Sequence, residues 1–268
     1  GWTSAESKST KQKVNNKDKI TICIGWRGDM FLFGKNERLQ QQEKLRGNPT
    51  VLWMNAAVAP IFAAENKNWT IFGGYRFGNK EKTAADYQKL QMQYSAVNHE
   101  EVLDKIQELQ EIGESEAYHL LMSRYQNNGF FELRREQLCS EETFPQMKLY
   151  QRRWLYDMIQ GYKRYGEKAI LAFDLCRILA VAQMGFMTGH LSMEEALHHC
   201  WKAAIILQAS FSSWEEMCDS FLRGYAFHTQ QDKDEPTSSL AVRMHLLEEM
   251  QQAAKEKSSA SESPFSIH

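Results

Sequence analysis

Hydrophobic residues recur along most of the chain at the spacing of an α-helix. From Lys82 onward, apolar positions fall on one helix face nearly to the end of the sequence. Three core helices are predicted near 168–184, 193–210 and 213–227, and one more exposed helix over 238–256. The fold class predicted from this pattern is mainly α, a multi-helix globular domain.

The N-terminal part of the chain has a different pattern. Residues 1–19 are rich in Lys, Ser, Asn and Thr and have almost no apolar side chains, which predicts a disordered lead or linker. From Lys19, apolar and polar residues alternate, a glycine-bounded turn follows at 25–28, and an apolar run follows at 30–33. This alternation predicts a small N-terminal β-hairpin in front of the helices.

Composition divides the chain into three parts. We interpret 20–230 as a single helical domain and 231–268 as an exposed helix with a disordered tail. Near the start of this domain, a buried helix is predicted to begin at about Thr50 and to kink or end at Pro60, which lacks a backbone N–H. The aromatic, glycine-bearing segment at 69–80 is predicted to be a loop.

Two opposite charges stand in the most apolar helix. Between 170 and 184 the strongly polar residues are Asp174, Arg177 and Gln183, so this helix is apolar nearly all round and is predicted to be buried. The three-residue spacing lets Asp174 and Arg177 meet, and burying either charge alone would be costly.

Two alternatives follow for this pair. It is a structural ion pair that holds neighbouring elements, or it belongs to a site in which Asp174 is a general base or ligand and Arg177 clamps an anion. Glu215 is the third candidate for such a site. The structural alternative is favoured because a lone pair without a second carboxylate or histidine nearby is weak evidence for catalysis.

Signals for helix ends and starts follow this helix. Two glycines are predicted to supply the positive φ that ends it, and a Ser-x-x-Glu capping box starts the next helix. Ser213, with Glu216 three residues later, is predicted to start the third helix. Trp214 follows that serine, and Gly224 is predicted to end the helix. These structural motif residues are Gly185, Gly189, Ser192, Glu195, Ser213, Trp214, Glu216 and Gly224.

Metal and cofactor motifs are not predicted. His198, His199 and Cys200 are consecutive, but adjacent residues on a helix diverge by about 100° and cannot easily share one ion. The sequence contains no P-loop and no nucleophile–base set. We therefore expect no metal and no cofactor.

Net charge, cysteine content and the length of apolar runs bear on nucleic acid binding, cellular location and membrane insertion. The net charge of −2 gives no overall basic field, so the basic clusters at 148–153 and 163–168 leave RNA binding as the weakest alternative. Five cysteines without a C-x-x-C motif favour free thiols and a cytoplasmic location. No apolar run of about 18 residues and no signal peptide are found, so no membrane span is predicted.

Several segments resemble the bacterial DUF1266 family, a domain of unknown function. They are "AFDLCR", "MGFMTGHLSMEEA", "FSSWEEM" and "FLRGYAFH", in this order, with "YQKLQMQYSAVNHEEVLDKIQEL" upstream. The Trp-Gly pair that other members carry near Tyr94 is absent here. The resemblance covers about 50–230 and implies a mostly helical fold and a bacterial source, but no reaction.

The leading functional hypothesis is a protein-interaction module of a bacterial cell that binds another protein. The resemblance adds an expectation, since members of such families lie near secretion and polymorphic-toxin loci, which suits an immunity or accessory role. The alternative is an enzyme or nucleotide-binding effector that uses the buried Asp/Arg pair, although catalysis is the less expected of the two. A pair enclosed in a dry core favours the first hypothesis. A pair member that faces a pocket beside other polar groups favours the second.

Overall fold

The computed structural model describes residues 34–258, and the mainly α expectation is confirmed over this range, which contains no strand. The predicted hairpin, the predicted disordered lead at 1–19 and residues 259–268 of the predicted disordered tail lie outside the described residues. Residues 257 and 258, the first two of that tail, belong to the last helix. The α-helices are α1 (Gly34–Lys44), α2 (Pro49–Phe62), α3 (Lys80–Tyr94), α4 (His99–Glu111), α5 (Gly113–Asn127), α6 (Arg135–Leu138), α7 (Leu149–Tyr165), α8 (Leu171–Thr188), α9 (Met193–Ser210), α10 (Trp214–Thr229) and α11 (Ser239–Ser258). Short 3-10 turns occupy Ala63–Glu65, Phe130–Glu132 and Gly166–Ala169.

Helix α8 is the centre of the fold. Helices α2, α3, α4, α9 and α10 all pack against it, which explains why it is apolar nearly all round. Among the described helices, α8 alone is long and apolar enough to cross a membrane, but 83% of it is buried inside the fold. Such burial is typical of the core helix of a globular domain.

The end of α8 corrects one prediction. Gly189 has a φ of +89° and ends the helix as expected. Gly185 was expected to adopt positive φ as well, but it lies inside the helix. Its missing side chain makes room instead, because a Cβ there would lie 2.9 Å from Leu191 and 3.2 Å from Val102 of α4.

The end of α10 corrects a second prediction. Gly224 was expected to end this helix, but α10 continues to Thr229 and ends at Gln230, whose φ is +53°. Gly224 lies where α10 meets α8, and a Cβ there would lie 2.2 Å from Cβ of Phe173 and 3.1 Å from the carbonyl oxygen of Ile170. Glycine at this position therefore allows the two helices to pack closely.

The segment between α2 and α3 is a loop, as predicted, and polar side chains hold it. Helix α2 continues past Pro60 to Phe62. The third polar residue of α8, Gln183, accepts a hydrogen bond from the amide of Gly73 at 2.7 Å. A buried ion pair of 2.5 Å between Lys67 and Asp86 joins the loop to α3. The loop is thereby fixed against the core.

Helix α11 packs on the body of the protein. The sequence pattern predicted an exposed helix here, but Leu240 and Leu247 are each 2% exposed. Leu247 belongs to the same apolar core as α8. The buried face of α11 therefore contributes to the core, and it also carries one wall of the site described next.

Candidate functional site

Asp174 lies in the first turn of α8 and caps helix α5. It is 3% exposed. Both carboxylate oxygens accept from the amide of Glu114 at 3.0 Å, and one accepts from the amide and the hydroxyl of Ser115 at 3.0 and 2.7 Å. The first amides of a helix lack partners within the helix, and the helix dipole favours a negative charge there. Asp174 therefore satisfies the start of α5 from a different helix.

The start of α5 has the shape that this contact requires. Its own N-cap residue, Ile112, provides no side-chain hydrogen bond. Gly113 has a φ of +52°, and a Cβ there would lie 2.5 Å from Oδ2 of Asp174. Burial raises the pKa of Asp174, although the hydrogen bonds from Glu114 and Ser115 act in the opposite direction.

Arg177 has a different environment from Asp174. Its Nη1 lies 3.5 Å from Oδ1 of Asp174 and 3.8 Å from Oε1 of Glu114, whereas strong charge-assisted bonds measure about 2.7–2.9 Å. The guanidinium carbon lies 5.0 Å from the ring centre of Phe173 and 5.8 Å from that of Tyr94. Both rings are within cation–π range. Aromatic faces therefore hold Arg177, and its side chain is 15% exposed.

Glu114 connects α5 to the end of α10. Nδ1 of His228 lies 2.6 Å from Oε1 of Glu114. This hydrogen bond lowers the pKa of Glu114, against the effect of burial, and the charge of Arg177 adds to the lowering. Glu114 thus balances part of the positive charge of Arg177.

A cleft of about 260 Å³ opens beside Arg177. Helices α2, α3, α8, α10 and α11 form it. Among the described residues, its lining includes three cationic side chains and four aromatic rings, and it includes no Asp or Glu. The lining residues are Ile61, Lys89, Gln93, Tyr94, Phe173, Arg177, Phe221, Tyr225, His228 and Arg243. We refer to it as the Arg177 cleft.

The other two cations of the Arg177 cleft differ in how far they are neutralised. Lys89 forms an ion pair with Glu65. The guanidinium carbon of Arg243 lies 4.3 Å from the ring centre of Tyr225, and its Nη1 lies 3.4 Å from the carbonyl oxygen of Pro60. Among residues 36–252, whose side chains the structure describes, Arg243 has no ion pair partner, and its Nε is buried without a hydrogen-bond partner. Arg243 therefore brings an uncompensated charge to the cleft.

The third candidate from the sequence, Glu215, does not reach the cleft. It is exposed in the first turn of α10. The cleft is lined by Phe221, Tyr225 and His228 from later turns of the same helix. At 1.5 Å per residue, Tyr225 lies about 15 Å farther along the helix. Asp174, Arg177 and Glu215 therefore do not converge.

The predicted helix starts are present. Oγ of Ser192 accepts from the amide of Glu195 at 3.2 Å, and Oε2 of Glu195 accepts from the amide of Ser192 at 2.8 Å. Oγ of Ser213 accepts from the amide of Glu216 at 3.1 Å. Glu216 in turn accepts from the amide and hydroxyl of Ser212, one residue farther back than a capping box requires.

Trp214, at the first position of α10, is 9% exposed and belongs to the same apolar core as α8.

The rings of His198 and His199 are 5.5 Å apart and nearly perpendicular. Within the described part of the chain, no group of three or more His, Cys, Asp or Glu residues could hold a metal ion.

The basic clusters at 148–168 donate mostly within the protein. Nε of Arg152 donates to a backbone carbonyl at 2.8 Å, and Nζ of Lys163 does the same at 2.8 Å. Arg153 forms an ion pair of 2.8 Å with the buried Asp232. These cations hold neighbouring segments, so few of them remain free to contact a nucleic acid backbone.

Sequence reasoning missed most of the cleft. Phe221, Tyr225 and His228 follow one another at four- and three-residue steps, which places them on one helix face and could have been recognised. Arg243 gave no signal, because its helix was expected to be exposed. The missed lining residues are Ile61, Lys89, Gln93, Tyr94, Phe173, Phe221, Tyr225, His228 and Arg243.

The fold and the site define an all-α protein with a basic, aromatic cleft beside its central helix. The family model described as "Protein of unknown function (DUF1266)" matches residues 89–267, more than half of the chain. The chain therefore belongs to the DUF1266 family, and the resemblance is confirmed, with a range shifted toward the C-terminus. No curated protein and no solved structure matches it.

Proposed function

We propose that this protein binds an anionic ligand in the Arg177 cleft. The observation that supports the proposal is the lining itself, in which the described residues include Lys89, Arg177 and Arg243 and no carboxylate. Cations on low-dielectric walls concentrate their field in a cleft and attract anions. Arginine is suited to this task because its planar group donates two parallel hydrogen bonds to phosphate or carboxylate.

The state of Arg177 supports this proposal. Its nearest carboxylate oxygens are 3.5 Å and 3.8 Å away, so its N–H groups are not saturated by strong bonds. The rings of Phe173 and Tyr94 fix the guanidinium in place. A fixed group loses less conformational entropy when a ligand binds.

The hydrogen bonds of Asp174 are evidence against a role for this residue as a general base. Its oxygens already accept hydrogen bonds from Glu114 and Ser115, and it is not among the residues that line the cleft. We therefore propose binding without assigning a reaction.

Inorganic phosphate is the simplest probe of this function. Isothermal titration calorimetry gives the Kd, and thermal unfolding gives an independent readout. At about 100 times the Kd, phosphate should stabilise the fold by about 2.7 kcal/mol, which corresponds to a rise in Tm of about 5–10 °C for a domain of this size. Potassium chloride at the same ionic strength controls for charge screening.

Two arginine variants separate the cleft from general charge effects. Arg177→Gln should abolish the phosphate shift, whereas Arg134→Gln, at an exposed position outside the cleft, should retain it. Stabilisation by phosphate no greater than that by chloride would contradict the proposal. So would an unchanged phosphate shift in Arg177→Gln.

A second candidate function is supported by the outer face of α9. Trp201, Ile205 and Ile206 are 53%, 44% and 37% exposed, and Trp201 and Ile205 are four residues apart on one face. Exposed aromatic side chains of this kind are enriched at the centres of protein interfaces. The face therefore supports a protein-interaction module. We propose from the family resemblance alone that this module acts in the cytoplasm of a bacterial cell in an immunity or accessory role.

Photo-crosslinking tests this second candidate in cells. A photoreactive amino acid at position 201 should yield a discrete cross-linked product with a second protein, and the same amino acid at position 134 should not. Equal labelling from both positions would contradict the candidate. A product made of two copies of this chain would assign the face to self-association instead.

A further inference from the structure

We infer that the ligand of the Arg177 cleft is a phosphate ester carrying one planar aromatic ring, of the nucleoside monophosphate class. This inference rests on the proposed function and adds the chemical class of the ligand. It depends on three features of the cleft, which are its charge, its rings and its size.

The charge favours a phosphate over a carboxylate. In the part of the chain that the structure describes, three cations line the cleft and no carboxylate lines it. Arg243 has no ion pair with the described side chains of 36–252, and Arg177 has only long ones, of 3.5 and 3.8 Å. A phosphate monoester carries close to two negative charges at neutral pH and offers three acceptor oxygens. It can therefore engage two guanidinium groups at once, which a single carboxylate does less well.

The rings favour a planar group beside the phosphate. The rings of Tyr94, Phe173, Phe221 and Tyr225 line the cleft. The first three are only 5%, 4% and 1% exposed, so Tyr225 offers most of the accessible ring surface. Tyr225 is half-buried and already stacks against the guanidinium of Arg243 at 4.3 Å. Nucleobases stack on aromatic rings and on arginine planes in the same manner. The accessible part of Tyr225 and the guanidinium plane of Arg243 are therefore the surfaces on which a planar ligand group would stack.

The size sets an upper limit on the ligand. The cleft has a volume of about 260 Å³, just below the range of about 300–1,000 Å³ that is typical of small-molecule sites. One ring with one phosphate is compatible with this volume, whereas a dinucleotide would extend far outside it. The monophosphate class is therefore the closest match in size.

Calorimetry with a panel of compounds tests the ligand class on the full chain. The panel contains AMP, GMP, CMP and UMP, together with ribose 5-phosphate, adenosine and inorganic phosphate. We expect at least one nucleoside monophosphate to bind at least about tenfold more tightly than ribose 5-phosphate, which is the gain that base stacking provides. Adenosine should bind at least tenfold more weakly than AMP.

Two substitutions of Tyr225 locate the ring contact. Tyr225→Leu should remove the preference for nucleotides over ribose 5-phosphate, and Tyr225→Phe, which keeps the ring, should preserve it. Circular dichroism verifies that both variants fold. If Tyr225→Leu does not fold, the panel on the unmodified protein decides the question.

The outcomes separate the two claims. If inorganic phosphate and ribose 5-phosphate bind as tightly as every nucleoside monophosphate, the proposed function stands and the inferred ligand class is wrong. If no phosphate-bearing compound binds, the proposed function itself is contradicted. A nucleotide preference that is unchanged in folded Tyr225→Leu would overturn the stacking contact.

Discussion

The carboxylate of Asp174 accepts hydrogen bonds from two amides of α5, whereas Arg177 contacts that carboxylate only at 3.5 Å. Two neighbouring charges on one buried helix thus have different partners. Asp174 accepts from partly buried donors at the start of α5, and each fully buried donor left without a partner costs about 1–3 kcal/mol. Arg177 is held by aromatic rings and keeps donors for a ligand.

Glu195 is a single residue whose capping carboxylate makes the stability of the fold depend on pH. Burial alone would raise its pKa, but hydrogen bonds from His99 and Ser192 lower the pKa of Glu195 to about 2. The unfolded value is about 4.3. Ionised Glu195 therefore stabilises the fold above the unfolded pKa, and this contribution is lost as the pH falls from about 5 toward 2.

Glu195→Gln keeps an acceptor for the Ser192 amide and removes the charge. We expect the variant to be less stable than the wild type by at most about 1 kcal/mol at pH 7, because Glu195 is 39% exposed and solvent screens its interactions. Urea unfolding at pH 7 and pH 3 measures the difference, which should shrink at pH 3. An equal difference at both values would contradict the assigned role.

At the scale of the helices, the close packing of α10 against α8 requires a residue without a side chain at position 224. Gly224 faces the Cβ of Phe173 and the backbone oxygen of Ile170, neither of which can rotate away. Gly185 faces Leu191 and Val102 instead, and the end of a leucine side chain can shift. The two helical glycines therefore differ in how much an added methyl group is tolerated.

Gly224→Ala should destabilise the protein by about 1–3 kcal/mol through overpacking, although alanine is favoured over glycine by about 1 kcal/mol inside a helix. Gly185→Ala is the matched control and should cost less. Denaturant unfolding of both variants shows which substitution lowers the free energy of unfolding more. A Gly224→Ala variant as stable as the wild type would show that α10 does not pack on α8 as described.

At the scale of the whole molecule, α11 belongs to the core. Leu247→Ala should lower the free energy of unfolding by about 2–5 kcal/mol, because Leu247 is 2% exposed and packs with the core of α8. Val242→Ala on the same helix should change it by less than about 0.5 kcal/mol, because Val242 is 54% exposed. Equal effects in thermal or urea unfolding would mean that α11 does not dock on the body.

Local patterns in the sequence were enough to predict most helices and the capping box at Ser192, because spacing and caps involve residues only a few positions apart. The same patterns predicted that Asp174 is buried. They could not reveal its partners, because Glu114 is 60 residues away in the sequence. Gly224 was misinterpreted for the same reason, since its purpose depends on Phe173 of another helix.

The Arg177 cleft was beyond prediction because five helices contribute to it. Phe173 and Arg177 lie in one segment that resembles the family, and Tyr225 lies in another. Their convergence arises from the packing of α8 against α10. Arg243 comes from a helix whose buried face has too few apolar residues to be recognised without its neighbours.

The different tasks of Asp174 and Arg177 are the central claim, and urea unfolding of Asp174→Asn and Arg177→Gln, each with and without inorganic phosphate, tests it most directly. Asp174→Asn should lose about 2–3 kcal/mol, because a charged acceptor at a helix start is lost, and should still be stabilised by phosphate. Arg177→Gln should lose only about 1 kcal/mol, the size of its cation–π contacts, and should no longer respond to phosphate. Equal losses of stability in both variants, with both still responding to phosphate as the wild type does, would contradict the account.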